Sequence, residues 1–237
     1  MQQILDFPVF ALLTFESFVV CDGNSAALQF ARRIVDPADS ENLLYLHGPA
    51  GSGKTHLVKA IGQALAANGK GIVPYLSCRQ PFTLNKLLST FADAPALLVD
   101  DLHLLPNDAG LRAGLWQVFN DFYSVGCTIV LTGLHPPREL PHLDDHLVSR
   151  LLWGLVARVD VSDDHYRRMI LKKIADDRQV RVPDEVVDYI LTTTSREVGE
   201  LINAFETLYR LSIAKKRKIT LALARDLREH RLAGDII

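Results

Sequence analysis

The chain has 237 residues, of which 48% are hydrophobic and 23% are charged, and its formal net charge is −2. This balance excludes an intrinsically disordered chain and argues against a surface that is polycationic as a whole. The few cysteines, Cys21, Cys78 and Cys127, are far apart and have no CxxC or Cys/His spacing. We therefore expect neither a disulfide framework nor a zinc site. The cytoplasm is the expected compartment. No apolar run reaches the ~20 residues that a transmembrane helix needs, so we expect no membrane partner.

Short apolar runs alternate with helical patterns through the first two thirds of the chain. Runs that predict buried strands lie at residues 42–47, 71–77, 96–99, 128–132 and 156–161. Helical patterns lie between them at residues 54–68 and 111–123. Alternation of this kind is typical of an α/β fold with a parallel sheet covered by helices.

The last third of the chain has a different character, because helical patterns follow one another there. The predicted helices are at residues 163–177, 183–191, 195–214 and 221–229, with Ser162, Ser195 and Thr220 as expected N-caps. We therefore predict an α/β core over residues 11–161 and a small all-helical subdomain over residues 162–237. Residues 1–10 would form an N-terminal arm.

A complete phosphate-loop motif, GxxxxGK[ST], follows the first predicted strand and opens a helix. Glycines at such a turn let backbone N–H groups face a phosphate, and the helix N-terminus adds partial positive charge. Lys54 would contact the β- and γ-phosphates, and the Thr55 hydroxyl would bind Mg²⁺. The predicted cofactors are ATP or ADP with Mg²⁺. The predicted nucleotide-binding set in this loop is Gly48, Pro49, Ala50, Gly51, Ser52, Gly53, Lys54, Thr55 and His56.

The apolar run at residues 96–99 ends in two carboxylates, Asp100 and Asp101. Downstream of a phosphate loop, the first acid is expected to hold Mg²⁺ through its water shell, and the second to polarise an attacking water. Asp is one methylene shorter than Glu, so the water-polarising role of Asp101 stays open at this stage. A polar turn without chemistry is the alternative for both acids.

These motifs occur together with three further segments in one order along the chain. The segments are residues 13–19 (LTFESFV), residues 136–140 (PPREL) and residues 149–155 (SRLLWGL). Together they resemble the AAA+ module of the DnaA/Hda family of bacterial replication proteins, over nearly the whole chain. The resemblance implies a P-loop AAA+ core with a five-stranded parallel sheet, followed by a helical lid.

The resemblance also implies roles for individual residues. Phe18 and Val19 match the segment that lines the adenine pocket. Arg150 matches the arginine finger, which reaches a nucleotide held by a neighbouring subunit; a surface salt bridge or a capping contact is the alternative. The family has a γ-phosphate-sensing acid where this chain has Leu134, so Thr132 is the candidate replacement. Gly199 stands where the family has a sensor arginine, and Arg196 is one helical turn away.

The N-terminal residues Gln2 to Phe7 (QQILDF) resemble a peptide that docks into the DNA polymerase sliding clamp. Such a peptide supplies an amide and two apolar side chains, here Gln3, Leu5 and Phe7. The alternative is an arm that packs these apolar residues on the core.

The resemblance implies an Hda-like regulator of replication initiation that binds adenine nucleotide and promotes hydrolysis of initiator-bound ATP. Its partners would be the initiator DnaA and the sliding clamp. No dedicated DNA-binding domain is expected, and the sequence leaves self-association open. The alternatives are a stand-alone AAA+ ATPase or an adaptor of the helicase-loader type. Leu134 and Gly199 predict weak intrinsic hydrolysis, so action in trans through Arg150 is the favoured hypothesis.

Trp116 and Trp153 are expected to pack in the core.

Overall fold

A computed structural model describes residues 13–140 and 145–232 of the chain. Its strands are β1 (Leu43–His47), β2 (Tyr75–Ser77), β3 (Ala96–Asp100), β4 (Thr128–Gly133) and β5 (Leu155–Arg158). They form one five-stranded sheet in the order β2–β3–β4–β1–β5, and all neighbours are parallel. The predicted five-stranded parallel sheet is therefore confirmed. Only three residues of the predicted strand 71–77 are in the sheet.

The sheet is apolar on both faces because each face is covered by helices. One face packs on α1 (Ser25–Arg33) and α2 (Lys54–Leu65), and the other on α3 (Leu84–Phe91), α4 (Ala109–Ser124) and α5 (Asp145–Leu151). Side chains alternate between the faces along β1, since Leu44 and Leu46 join the first layer while Leu43 and Tyr45 join the second. Burial on both faces explains why these strands read as continuous apolar runs.

From Ser162 onwards the described chain forms a second compact unit, separate from Leu13–Val161. It contains α6 (Asp164–Asp177), α7 (Asp184–Thr193), α8 (Val198–Ala214) and α9 (Leu221–Leu232). Its core includes Leu171 from α6, Val187 from α7 and Phe205 from α8. No helix in the described part of the chain is long and apolar enough to cross a membrane.

The caps of the helical unit correct two details of the sequence prediction. Asp163, not Ser162, caps α6, because its carboxylate accepts a 2.6 Å hydrogen bond from the His165 N–H. Ser195 does not cap α8, which begins at Val198 after Glu197. Thr220 does cap α9, since its hydroxyl accepts a 3.3 Å hydrogen bond from the Leu223 N–H.

Candidate nucleotide-binding site

The loops that follow the parallel strands meet at the carboxyl edge of the sheet, where ligands of such folds bind. The loop after β1 is the phosphate loop, and it leads directly into α2 at Lys54. Asp100 ends β3, Asp101 directly follows it, and Thr132 lies near the end of β4. The fold therefore brings these predicted residues to one edge.

Gly48, Gly51 and Gly53 have positive φ angles of 150°, 71° and 107°, a region that favours glycine. Gly48 also has no room for a side chain, because a Cβ atom would lie 2.0 Å from the Val159 carbonyl oxygen. The loop conformation thus depends on its glycines, as the motif requires.

Lys54 is held inside the loop, with a relative exposure of 5%. Its ammonium donates 2.8 Å hydrogen bonds to the carbonyls of Gly48 and Pro49. Burial lowers the pKa of Lys54, while the carboxylates of Asp101 and Asp100 oppose that shift. In the same loop the Ser52 hydroxyl is buried without a hydrogen-bond partner in the described structure. A buried cation and an unpartnered hydroxyl in a glycine loop suit a phosphate group.

Asp100 is the centre of a hydroxyl cluster. It accepts hydrogen bonds from Thr55 at 2.6 Å, from Tyr75 at 2.7 Å and from Thr132. Hydroxyl and carboxylate oxygens are the hard donors that Mg²⁺ prefers, so Thr55 and Asp100 fit the predicted metal site. Tyr75, which was not predicted as a site residue, lies on β2 and pairs in register with Leu98 of β3.

Asp101 is fixed by both its backbone and its side chain. Its φ and ψ angles are 58° and 45°, and its N–H donates a 2.9 Å hydrogen bond to the Thr132 hydroxyl. Its carboxylate accepts a 2.5 Å hydrogen bond from the Nε of Arg79, a second residue that the sequence analysis missed. Thr132 therefore lies between the two acids, and its expected role as a replacement sensor stays a prediction.

The segment that contains Phe18 and Val19 packs beside the phosphate loop. Phe18 is buried, and its ring lies 2.9 Å from where a Cβ atom on Gly53 would be. His56 meets the Phe18 ring edge to face at 5.2 Å, and its Nε2 lies 2.8 Å from the Thr14 carbonyl oxygen. His56 thus connects this segment to α2. Its position and that of Phe18 suit an adenine pocket next to the phosphates.

Arg150 lies on α5 among aromatic rings. Its guanidinium carbon is 5.0 Å from the ring centre of Trp116, 5.8 Å from that of Tyr123 and 5.3 Å from that of Trp153. Its Nη1 donates a 2.6 Å hydrogen bond to the side-chain oxygen of Asn120. No carboxylate within the described ranges forms an ion pair with Arg150. We call Trp116, Asn120, Tyr123 and Trp153 the Arg150 cage.

Comparison with known proteins agrees with this architecture. The family model described as the bacterial DnaA ATPase domain matches residues 11–158, and the model described as the Hda lid domain matches residues 164–227. The chain belongs to the bacterial DnaA ATPase-domain family. The sequence resemblance implied an AAA+ core followed by a helical lid, and the two matches lie in that order along the chain.

Solved structures with the same fold include domain III of the replication initiation protein DnaA from Thermotoga maritima. It is 28% identical, the match covers 92% of this chain and 96% of that chain, and the TM-score is 0.80. AMPPCP-bound DnaA from Aquifex aeolicus is 24% identical over 92% of this chain and 69% of that chain, with a TM-score of 0.72. The RuvB Holliday junction branch migration motor from Thermotoga maritima is 17% identical over 86% of this chain and 66% of that chain, with a TM-score of 0.62.

Trp153 is not a core residue as expected, because it is 60% exposed. Gly199 lies in the first turn of α8. Arg196 precedes that helix and lies 3.7 Å from Asp164 within the helical unit, so its role at a nucleotide stays a prediction. Gln3, Leu5 and Phe7 lie outside the described residues.

Proposed function

We propose that the chain is an Hda-type regulator of replication initiation. It binds ATP or ADP with Mg²⁺ in its phosphate loop and presents Arg150 to ATP held by the initiator DnaA. The match of an Hda lid behind a DnaA ATPase core is the observation that carries this proposal. Similar solved structures include DnaA bound to AMPPCP, an ATP analogue, which supports adenine nucleotide as the ligand.

The chemistry proposed for the chain's own site follows from the residues that surround it. Loop N–H groups and Lys54 bind the phosphates, while Thr55 and Asp100 hold Mg²⁺. The metal, when bound, would neutralise charge on the β- and γ-phosphates. Phe18, Val19 and His56 form the wall beside the base.

The chemistry proposed for Arg150 is different, because it acts on the partner's nucleotide. In the described residues Arg150 contacts aromatic rings and the Asn120 amide, which supports a role for its charge at phosphate oxygens of another subunit. A guanidinium aimed at a transferring phosphoryl group stabilises the charge of the transition state. The aromatic rings of the cage contact the faces of the flat guanidinium, and Asn120 accepts one of its N–H groups. These contacts orient the remaining N–H donors.

The deciding experiment measures hydrolysis of DnaA-bound ATP in the presence of DNA-loaded sliding clamp. Wild-type chain is compared with Arg150→Ala and with the control Arg112→Ala. Arg112 is a matched control because it too bonds an amide side chain, that of Asn107, but lies over no aromatic ring of the described residues. We expect Arg150→Ala to lower the stimulated rate by ~100-fold or more and Arg112→Ala to leave it unchanged.

Two results would contradict the proposal. Equal loss in both variants would mean that Arg150 has no special part in the reaction. No stimulation by wild-type chain, with reagents that respond to a known inactivator, would favour the helicase-loader or adaptor alternative.

Docking on the clamp is tested separately through residues 1–10. A peptide of this sequence should bind the clamp and lose binding on Leu5→Ala or Phe7→Ala, while Asp6→Asn keeps it, because the apolar side chains fill the pocket. No binding by the wild-type peptide would favour the alternative of an arm packed on the core, and binding that survives both apolar substitutions would mean that Leu5 and Phe7 do not carry the contact.

A further inference from the structure

The connection between α8 and α9 contains four consecutive basic residues, Lys215, Lys216, Arg217 and Lys218. All four are exposed. Over residues 207–225 the sequence has six basic residues and no acidic residue, although the formal net charge of the whole chain is −2. Positive charge is therefore concentrated where α8 ends. We call Lys215, Lys216, Arg217 and Lys218 the basic turn.

The side chains of the basic turn are not needed to close the end of α8. A helix leaves its last carbonyls without helical partners, and cationic side chains are favoured there. Here the Ile213 carbonyl accepts a 3.0 Å hydrogen bond from the Lys216 N–H. The Ser212 carbonyl accepts a 2.9 Å hydrogen bond from the Arg217 N–H. Because the backbone satisfies these carbonyls, the four charges need another explanation.

The backbone of the basic turn is fixed on both sides. Lys216 has a left-handed φ angle of 51°, which is typical of the residue that ends a helix. After the turn, Ile219 is buried at 3% exposure, and the Thr220 hydroxyl caps α9. The four cations are therefore presented together by a formed turn that packs on the core of the helical unit.

Other cations of the helical unit are paired with acids. Those on α6 form the ion pairs Arg168–Asp188, Lys172–Asp184 at 2.7 Å and Lys173–Asp177 at 3.6 Å. Among the side chains that the structure describes, no ion pair includes a residue of the basic turn. The described acids thus neutralise cations of α6 and leave the charge of the turn exposed to solvent.

The chemistry of the basic turn favours the outer phosphates of a duplex over the bases of a single strand. Lysine is a compact point charge with rotatable donors, and such contacts go to phosphate oxygens of any sequence. A single-strand site also needs aromatic rings on which bases stack. The aromatic residue of the 207–225 sequence is Tyr209, which stacks on Phe205 at 6.5 Å and lies 5.6 Å from the guanidinium carbon of Arg178. The turn therefore offers charge without a stacking surface.

We propose that the basic turn binds the phosphate backbone of duplex DNA without preference for base sequence. The choice of duplex DNA over other polyanions rests on the proposed function, which brings the chain to a sliding clamp loaded on DNA. The turn keeps the helical unit on the DNA beside the clamp. Two weak contacts, one to the clamp and one to the DNA, together bind more tightly than either alone.

Contacts of this kind make the affinity depend steeply on salt. Each neutralised phosphate releases condensed counterions, so log K falls against log salt concentration with a slope of about −0.9 per contact. With all four cations of the turn engaged, the slope is about −3.6. The expected Kd is roughly 1–100 µM at physiological salt, as for other binding that does not read sequence.

The test measures the fluorescence anisotropy of a labelled duplex of about 20 base pairs with the full-length chain, at salt concentrations from about 50 to 200 mM. Neither DnaA nor the clamp is present. The test variant combines Lys215→Gln, Arg217→Gln and Lys218→Gln, and it keeps Lys216, whose backbone conformation shapes the turn. We expect the affinity to fall by ~10-fold or more, equally for duplexes of two sequences, and the slope to become shallower by about three.

Single variants make the test independent of the stability of the triple variant. Lys215→Gln and Lys218→Gln each change one exposed side chain, so each should make the slope shallower by about one. An unchanged slope in both single variants would overturn the inference.

The matched control combines Arg168→Gln, Lys172→Gln and Lys173→Gln. It removes one arginine and two lysines from the same helical unit, as the test variant does, but these cations are paired with acids. Affinity and slope should stay at the wild-type values. An equal loss in this control would overturn the inference, because the overall charge of the chain would then explain the binding.

The remaining outcomes separate this inference from the proposed function. No binding of duplex by a chain that stimulates hydrolysis of DnaA-bound ATP overturns this inference alone, and the basic turn is then a solvated helix end. Duplex binding that depends on the turn, in a chain that gives no such stimulation, supports the site and contradicts the proposed function.

Two competition results would assign the turn to another polyanion and overturn the inference. One is displacement of the labelled duplex by polyglutamate as effectively as by unlabelled duplex of the same charge, which would indicate an acidic protein surface. The other is tighter binding of a single strand of the same length, which would indicate contacts to unstacked bases.

Discussion

Lys54 and Arg150 are the two cations proposed to contact nucleotide phosphates, and the protein holds them in opposite ways. Lys54 is buried and bonded to the carbonyls of Gly48 and Pro49, five or six residues away in sequence. Arg150 is half-buried and is held by side chains that include Asn120, 30 residues away. A site built from adjacent backbone suits a ligand that the chain itself would bind. A site built from a half-exposed aromatic cluster can present its cation to another molecule.

The largest expected effect concerns Lys54. Lys54→Ala removes charge-assisted hydrogen bonds to the β- and γ-phosphates, so ATP affinity should fall roughly 1,000-fold. Titration with a fluorescent, non-hydrolysable ATP analogue measures this, with exposed Lys86 of α3 replaced by alanine as the control. Arg150→Ala should bind the same analogue like wild type. Weakened binding in Arg150→Ala would mean that Arg150 also contributes to the chain's own nucleotide site.

The next prediction tests the backbone of the phosphate loop. Gly48→Ala should lower the free energy of unfolding by about 3 kcal/mol, because the new methyl group meets the Val159 carbonyl. Gly126 is the control, since it also has a positive φ angle, 69°, but has nothing within 4 Å of its Cβ position. Gly126→Ala should lose only about 1 kcal/mol from backbone strain. Urea denaturation measures both free energies of unfolding. Equal losses would mean that the contact with the Val159 carbonyl does not lower stability.

The Arg150 cage should give a smaller effect that is confined to the reaction in trans. Asn120→Ala removes the hydrogen bond that fixes one guanidinium nitrogen, so stimulated hydrolysis of DnaA-bound ATP should fall ~10-fold. ADP affinity of the chain itself should not change. Asn107→Ala, which removes the amide that bonds Arg112, is the matched control. A comparable loss in that control would assign the effect to general stability.

The smallest prediction concerns Tyr75. Tyr75→Phe removes one of the three hydroxyl bonds to Asp100, so the Mg²⁺ concentration for half-maximal nucleotide binding should rise ~3-fold. Nucleotide affinity measured in EDTA should stay the same. A change in EDTA as large as that in Mg²⁺ would show that Tyr75 acts on the loop rather than on the metal site.

The same contrast explains what could be predicted from the sequence. Sequence motifs predicted the phosphate loop, the strand before it and the acids Asp100 and Asp101. These features have contiguous residues with fixed spacing. Tyr75, Arg79 and Asn120 were not predicted, because each acts on a residue at least 22 positions away. The parallel register contained a usable signal for Arg79, since residues that follow neighbouring parallel strands leave the sheet together.

The α-helices of ten residues or more were predicted, and the shorter ones were missed. The short helices α1, α3 and α5 were not predicted. α1 has no side-chain cap hydrogen bond, because the Asn24 side-chain oxygen accepts from the Cys21 N–H instead. At α6, Asp163 and Ser162 are both good cap residues, and only the geometry of the turn chose between them.

The two tryptophans of the chain, Trp116 and Trp153, both face the Arg150 guanidinium at 5.0 and 5.3 Å. All indole fluorescence of the protein therefore originates beside the proposed finger. A cation over an indole face alters the energy of its excited state, so movement of Arg150 toward a partner would change the emission without any added dye. The protein contains its own optical reporter for the side chain that is proposed to reach a partner's nucleotide.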